Sequence, residues 1–245
     1  MPLDIDERTH LLNSDDSEGQ ILTTAVTSDK EHRKERDSKG SLLIRLVLML
    51  LAVVILSVLA RIPLSVFSLH PFFMTIFVIL LTEGIATLQP THTKNEKHQG
   101  LKRHAIIQIV AFLLGLLGFS AIFYNKVISN KSHFTSGHGK LGVSVILYLI
   151  AQFLFGLVCA YIPGLAPAVK KLWKYHRLTG YIFLSLVWIN VILGLQADYI
   201  VDNSWLIPSS FLLSNWSFLV VVFIILGVAL RIRPYKLKGQ VQFSH

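Results

Sequence analysis

Four of the ten histidines in this 245-residue chain stand at matched positions in four separate apolar runs. His70, His104, His138 and His176 each fall within a few residues of the start of such a run, with successive separations of 34, 34 and 38 residues. One membrane crossing plus a loop takes roughly 34 residues and carries the chain from one face of a bilayer to the other. Alternate histidines should therefore share a depth, His70 with His138 and His104 with His176. Each depth then offers two imidazoles from two helices, and the interior of a helix bundle is a common place for a cofactor. Two imidazoles without a thiolate suit zinc poorly, since zinc usually takes three or four protein ligands. They suit a six-coordinate haem b, whose porphyrin fills the other four positions. A proton or metal-ion pathway built on these histidines and Glu83 is the alternative, and incidental interfacial histidines are a third reading.

Local sequence supports the ligand reading. A histidine at a helix start sits at the positive end of the helix dipole, which disfavours imidazolium and favours the neutral ring that a metal needs. His138-Gly-Lys-Leu-Gly142 and His176-Arg-Leu-Thr-Gly180 repeat the pattern H-x-x-x-G. That spacing places a glycine one turn along on the histidine's face, where a flat macrocycle can lie close. Pro71, after His70, is expected in the first turn of its helix, where a missing N–H costs nothing. The other six histidines, His10, His32, His92, His98, His133 and His245, fall in tails or loops.

The elements that must position these residues are membrane helices. Hydrophobic residues make up 53% of the chain and the mean hydropathy is +0.58, well beyond a soluble domain. Six runs are long enough to span roughly 30 Å of hydrocarbon. They are Leu42–Ala60, Val66–Leu88, Ala105–Tyr124, Leu141–Ile162, Thr179–Ala197 and Phe211–Leu230. The fold class is thus all-α and integral to the membrane, with six transmembrane helices and a central four-helix bundle formed by the second to fifth. Residues 1–40 form a disordered tail, 41–232 the six-span domain, and 233–245 a second tail.

The net charge of +9 does not point to nucleic acid, because the basic residues gather in alternate loops. Lys30, Arg33, Lys34, Arg36 and Lys39, then Lys94, Lys97, Lys102 and Arg103, then Lys170, Lys171 and Lys174, then Arg231, Arg233, Lys236 and Lys238 share one side; Arg61, Lys126 and Lys131 lie opposite. By the positive-inside rule both termini are cytoplasmic. The sequons Asn130-Lys-Ser and Asn215-Trp-Ser fall on the other side, in agreement. A lone cysteine, Cys159, gives no disulfide framework, thiolate cluster or C-x-x-C-H for covalent haem. It reads as a small buried hydrophobe.

The polar N-terminal tail cannot bury enough surface to offset the entropy of ordering. Within it Glu7-x-x-x-Leu11-Leu12 resembles the acidic dileucine signal read by cytosolic sorting adaptors. That points to an endosomal, lysosomal or other vesicle membrane, with the endoplasmic reticulum and the plasma membrane left open.

Taken in order, VFSLHPFFM, LLTEG, RHAIIQ, SGHGKLG and KYHRLTGY resemble the segments of the six-helix transmembrane cytochrome b-561 family, and its short domain-containing subgroup above all. The resemblance runs from the first span to the fifth. It implies two non-covalent b haems, with His70 and His138 on the non-cytoplasmic iron and His104 and His176 on the cytoplasmic one. It further implies transmembrane electron transfer from cytosolic ascorbate to an ascorbyl radical (monodehydroascorbate) or a ferric chelate on the far side. The chain would then be an ascorbate-dependent reductase.

No G-x-G-x-x-G segment marks a nucleotide site, so the donor should be a small soluble anion. Lys97, Lys102, Arg103, Lys171 and Lys174 would attract it, with Lys102 the preferred contact. His133 would meet the acceptor. Where the secretory-vesicle branch has an Arg-containing segment after the second span, this chain reads ATLQPTHTK. A homodimer and an inert haem-binding scaffold stay open. Glu83 should face the bundle, as a structural group or as a partner of the cytoplasmic site, and Arg45 should snorkel.

Overall fold

The computed structural model describes residues 27–28, 39–88, 94–161, 166–206, 208–210 and 222, with the side chains of 94, 161 and 166–171 outside that description. Among these residues five helices are long and apolar enough to cross a bilayer. α1 covers Lys39–Arg61, α2 Val66–Ala86, α3 Lys94–Ile128, α4 Gly137–Tyr161 and α5 Ala166–Leu195, and a short α6 spans Asp198–Asn203. The run 211–230, expected as a sixth span, lies outside the described residues, as do Asn215, Glu7, Leu11 and Leu12.

α1 shows why an almost uniformly apolar run still has a preferred face. Ile44, Leu48, Leu51, Ile55, Val58 and Leu59 are buried at helical spacing, whereas Leu42, Leu46, Met49, Val53 and Leu56 are exposed. The exposed stripe is what lipid would cover, since an apolar surface has no drive to hide from hydrocarbon. α2 starts at Val66 behind Ser65, whose backbone N–H donates to the Ser68 hydroxyl (3.1 Å). Pro71 consequently lies inside α2 and not in its first turn.

α3 ends on Asn130, at φ 51°, with the Lys131 N–H donating to the Lys126 carbonyl (3.0 Å). A six-to-one bond of this kind closes a helix when the residue past its end adopts a left-handed conformation, which asparagine tolerates. α4 then begins with the Ser136 hydroxyl accepting from the Gly139 N–H (3.1 Å).

Packing is hierarchical. α2 lies mainly against α3 and α4 mainly against α5, as two antiparallel hairpins. Lesser contacts of α3 with α4 and of α2 with α5 bring the hairpins face to face. The centre is filled by Phe77, Phe183 and Trp188, each at most 2% exposed. The Trp188 indole N–H donates to Thr82 Oγ1 (3.2 Å), and Thr82 donates to the Val78 carbonyl (2.8 Å). A buried indole needs such a partner in an apolar layer. Phe112 stacks on Phe153 across α3 and α4, with ring centres 4.1 Å apart. Glu83 Oε1 lies 3.6 Å from Arg45 Nε. Arg45 therefore does more than snorkel: it partners Glu83 and ties α1 to α2, which favours the structural reading of Glu83.

Candidate functional site

The two histidine levels arise from helices of different kinds. His70 is in the second turn of α2 and His138 in the first turn of α4, whereas His104 and His176 both lie ten residues past the first residue of α3 and α5. The expectation that all four sit at helix starts thus holds for the first pair only. The physical reason is that polar stretches before the apolar runs, KNEKHQGLKR and APAVKKLWKY, are themselves helical and carry the helices outward.

Each histidine leans on the neighbouring helix of its own hairpin. His70 Nδ1 lies 2.9 Å from the Gly118 carbonyl, and His104 Nδ1 lies 2.8 Å from the Gly84 carbonyl. His138 Nδ1 lies 3.0 Å from the Asn190 carbonyl. A carbonyl only accepts, so in all three rings Nδ1 carries the proton and Nε2 keeps a free lone pair. His176 differs. Its Nδ1 is 3.3 Å from the amide nitrogen of Gln152, which also donates to the His176 carbonyl (2.8 Å). Thr179 donates to Gln152 Oε1 (2.9 Å) and fixes that amide.

These partners obey one rule that sequence reasoning missed. Gly84, Gly118, Gln152 and Asn190 each stand fourteen residues after a histidine (70, 104, 138 and 176), and each serves the other histidine of its hairpin. Fourteen residues at 1.5 Å rise make the two levels roughly 21 Å apart along the helices. In the second hairpin two further glycines follow four residues later. A Cβ on Gly194 would meet the His138 ring at 3.0 Å, and one on Gly156 would meet the His176 ring at 3.1 Å. The H-x-x-x-G glycines do something else: Gly142 faces the Asn190 amide (3.4 Å) and Gly180 the Gln152 amide (3.2 Å). They make room for the supporting side chains.

At the first level the His70 and His138 ring centres are 6.0 Å apart at 74°. Two imidazoles on opposite sides of one metal stand roughly 6 Å apart, because a metal–nitrogen bond is about 2 Å and the ring centre lies about 1 Å beyond. They line a cavity of about 300 Å³, walled also by Phe67, Met74, Val78, Phe119, Val187 and the bare backbone of Gly139, Gly142 and Gly194. Rings at that separation, each with Nδ1 engaged and Nε2 left free, and a glycine-lined apolar wall fit haem b. Among the described residues no three His, Cys, Asp or Glu side chains come together.

His133 lines the mouth of the first cavity, its ring 4.5 Å from that of Phe123, with Lys126 Nζ donating to the Ser132 carbonyl (2.8 Å) beside it. Phe134, at φ 54°, stacks on Phe119 with ring centres 6.5 Å apart. A phenylalanine in the left-handed region stores strain that its surroundings must hold. At the other end Lys97, Lys102, Arg103 and Lys174 are all exposed, near His104 and His176 in sequence. The Lys171 side chain lies outside the described residues. Arg177, which sequence reasoning did not single out, has a buried Nε without a hydrogen-bond partner.

Among the described residues, a multi-pass set of membrane-length helices in which His70 and His138 meet between two hairpins is the class that this geometry defines. Residues 69–202 match the family of eukaryotic cytochrome b561. The transmembrane reductase CYB561D2 of Bos taurus is 30% identical over 148 residues, covering 58% of this chain and 66% of that protein. The human protein of the same name is 30% identical over 149 residues, with the same coverage. The ascorbate-specific transmembrane electron transporter 1 of Zea mays is 30% identical over 179 residues, covering 71% of this chain and 75% of that protein. The chain spans just under two thirds of the length of the reductase relatives. It belongs to the eukaryotic cytochrome b561 family.

Proposed function

We propose that the protein is a transmembrane ascorbate-dependent reductase, moving electrons between two haem sites held by His70 with His138 and by His104 with His176. The observation that carries this reading is the approach of the His70 and His138 ring centres to 6.0 Å with both Nδ1 atoms engaged by carbonyls. Haem b, when bound, supplies reversible one-electron chemistry at each level. The chain's own residues do the rest. Gly118, Gly84 and Asn190 orient three of the rings and keep Nε2 available, and the apolar wall excludes water from the first cavity.

The distribution of basic residues supports cytoplasmic termini, so His104 and His176 face the cytosol. Lys97, Lys102, Arg103, Lys171 and Lys174 then form a field that attracts an anionic donor, and the buried Nε of Arg177 awaits an oxyanion. Ascorbate fits this chemistry, and the maize relative's name refers to it. On the opposite face His133, with Lys126 and Lys131 near it in sequence, receives the acceptor, an ascorbyl radical or a ferric chelate. Glu83, on which a proton or metal pathway would depend, is already partnered by Arg45. The Glu7, Leu11 and Leu12 signal sorts the protein to an endosomal or lysosomal membrane.

The test is a visible spectrum of the purified full chain before and after ascorbate. A low-spin b-type spectrum with about two haems per chain, reduced by ascorbate, is expected. A folded protein without haem, or a haem that ascorbate leaves oxidised, would sink the proposal.

A further inference from the structure

The cavity beside His70 and His138 has few polar side chains, and nearly all are engaged. Thr75 donates to the Pro71 carbonyl (2.7 Å), Lys126 to the Ser132 carbonyl (2.8 Å), and Ser136 Oγ accepts from Gly139 (3.1 Å). The side-chain oxygen of Asn190 lacks a hydrogen bond of its own, but it is an acceptor turned toward the His138 ring and cannot hold an anion. Among the buried donors that line the cavity, Tyr199 stands apart. It lines the cavity, and its hydroxyl is buried with no hydrogen-bond partner.

That placement is built, because α6 folds back over the cavity and is fixed on several sides. The Tyr199 ring packs against Phe67 with centres 4.3 Å apart, and its carbonyl accepts from Asn203 Nδ2 (2.9 Å). Ile200, 5% exposed, joins the core, and the Trp205 indole N–H donates to the Ser57 carbonyl at the end of α1 (3.0 Å). A phenol locked in an apolar wall with nothing to donate to is destabilising, and such a group is usually satisfied by what the site binds. A phenol hydroxyl has one hydrogen to donate, and Lys126 and His133 line the same cavity as Tyr199. A donor in a cavity that also holds basic groups suits an oxyanion.

We propose that Tyr199 is a carboxylate-binding residue of this cavity, its hydroxyl donating to a carboxylate that is either a propionate of the haem or a group of an anionic electron acceptor. The inference rests on the haem reading of the His70–His138 pair. Neither the histidine spacing nor the family motifs point to Tyr199.

The test uses Tyr199→Phe in the full-length, haem-loaded protein, a change that removes one oxygen and leaves the ring on Phe67. If the carboxylate belongs to the haem, one of the two haems is lost to an excess of a haem-scavenging globin roughly tenfold faster than from the wild type, as for a lost charge-assisted hydrogen bond. The midpoint potential of that haem falls as well, because a propionate without its donor favours ferric iron. Reconstitution with the dimethyl ester of haem b should then erase the difference between wild type and Tyr199→Phe. If the carboxylate belongs to the acceptor, haem retention and potentials stay unchanged and KM for ferric citrate rises several-fold. Unchanged retention, potentials and KM together overturn the proposal. A wild-type protein without haem overturns it along with the reading on which it rests, whereas an intact two-haem spectrum with no Tyr199 effect overturns this inference alone.

Discussion

The two histidine pairs occupy the same hairpins but are supported in different ways. His70 and His138 stand near the beginnings of α2 and α4, and each donates to a backbone carbonyl, of Gly118 and of Asn190. His104 and His176 sit about three turns inside longer helices, and only His104 has a carbonyl partner, from Gly84. His176 rests on the Gln152 amide, which Thr179 holds in place. A backbone acceptor fixes one tautomer and survives any side-chain substitution at its own position. An amide side chain can be replaced, and its terminal nitrogen does not demand a proton on Nδ1. The His70–His138 pair is therefore anchored by the fold itself, while one member of the other pair is anchored by a residue that mutation can remove.

The comparison breaks most visibly at the histidines. Replacing His70 or His138 by alanine should remove one haem and leave the second with its own spectrum and potential, and replacing His104 or His176 should do the converse. Haem stoichiometry by a pyridine haemochrome assay checks this, and loss of neither haem would end the pairing scheme. Next in size is Gly194→Val. A side chain at that position starts 3.0 Å from the His138 ring, so overpacking should cost about 1–3 kcal/mol and lower occupancy of the His70–His138 site. Gly142→Val, facing an amide at 3.4 Å, should leave more haem in place. Equal loss from both variants would show that the ring contact is not what matters.

Gln152→Glu probes the asymmetry more gently. A carboxylate beside His176 Nδ1 accepts a proton that the amide nitrogen cannot, makes the ring a stronger ligand and should lower the potential of one haem only. Redox titration gives the answer, and a shift in both potentials would deny that Gln152 serves one level. The smallest effect belongs to the Arg45–Glu83 contact. It lies 3.6 Å apart with side chains 68% and 28% exposed, so Glu83→Gln should change thermal stability by less than about 1 kcal/mol and leave ascorbate reduction of the haems intact. A collapse of ascorbate reduction would return Glu83 to the functional site.

Much of this arrangement is legible in the order of residues. Apolar run lengths give the spans, and 34-residue steps between histidines give alternate depths, because both follow from the thickness of a bilayer. Helix starts are less legible. KNEKHQGLKR and APAVKKLWKY carry no apolar signal of a span, yet both are helical, so His104 and His176 lie deeper in their helices than the apolar runs suggest. Pro71 misleads in the opposite sense: it usually opens a helix, but α2 begins five residues earlier. The glycines of H-x-x-x-G share a face with their histidines, but a face does not say what lies across from it, and here Asn190 and Gln152 do.

The sequence by itself determined that this is a helical membrane protein with histidines at two depths, since hydropathy, length and spacing act locally along the chain. Only the tertiary structure decided which atoms hold those histidines. Residues fourteen apart on one helix become meaningful when an antiparallel neighbour brings Gly118 to His70 and Gly84 to His104. Hydrogen bonds between helices depend on register and rotation, which the packing of side chains such as Phe77, Phe183 and Trp188 sets and no local pattern encodes.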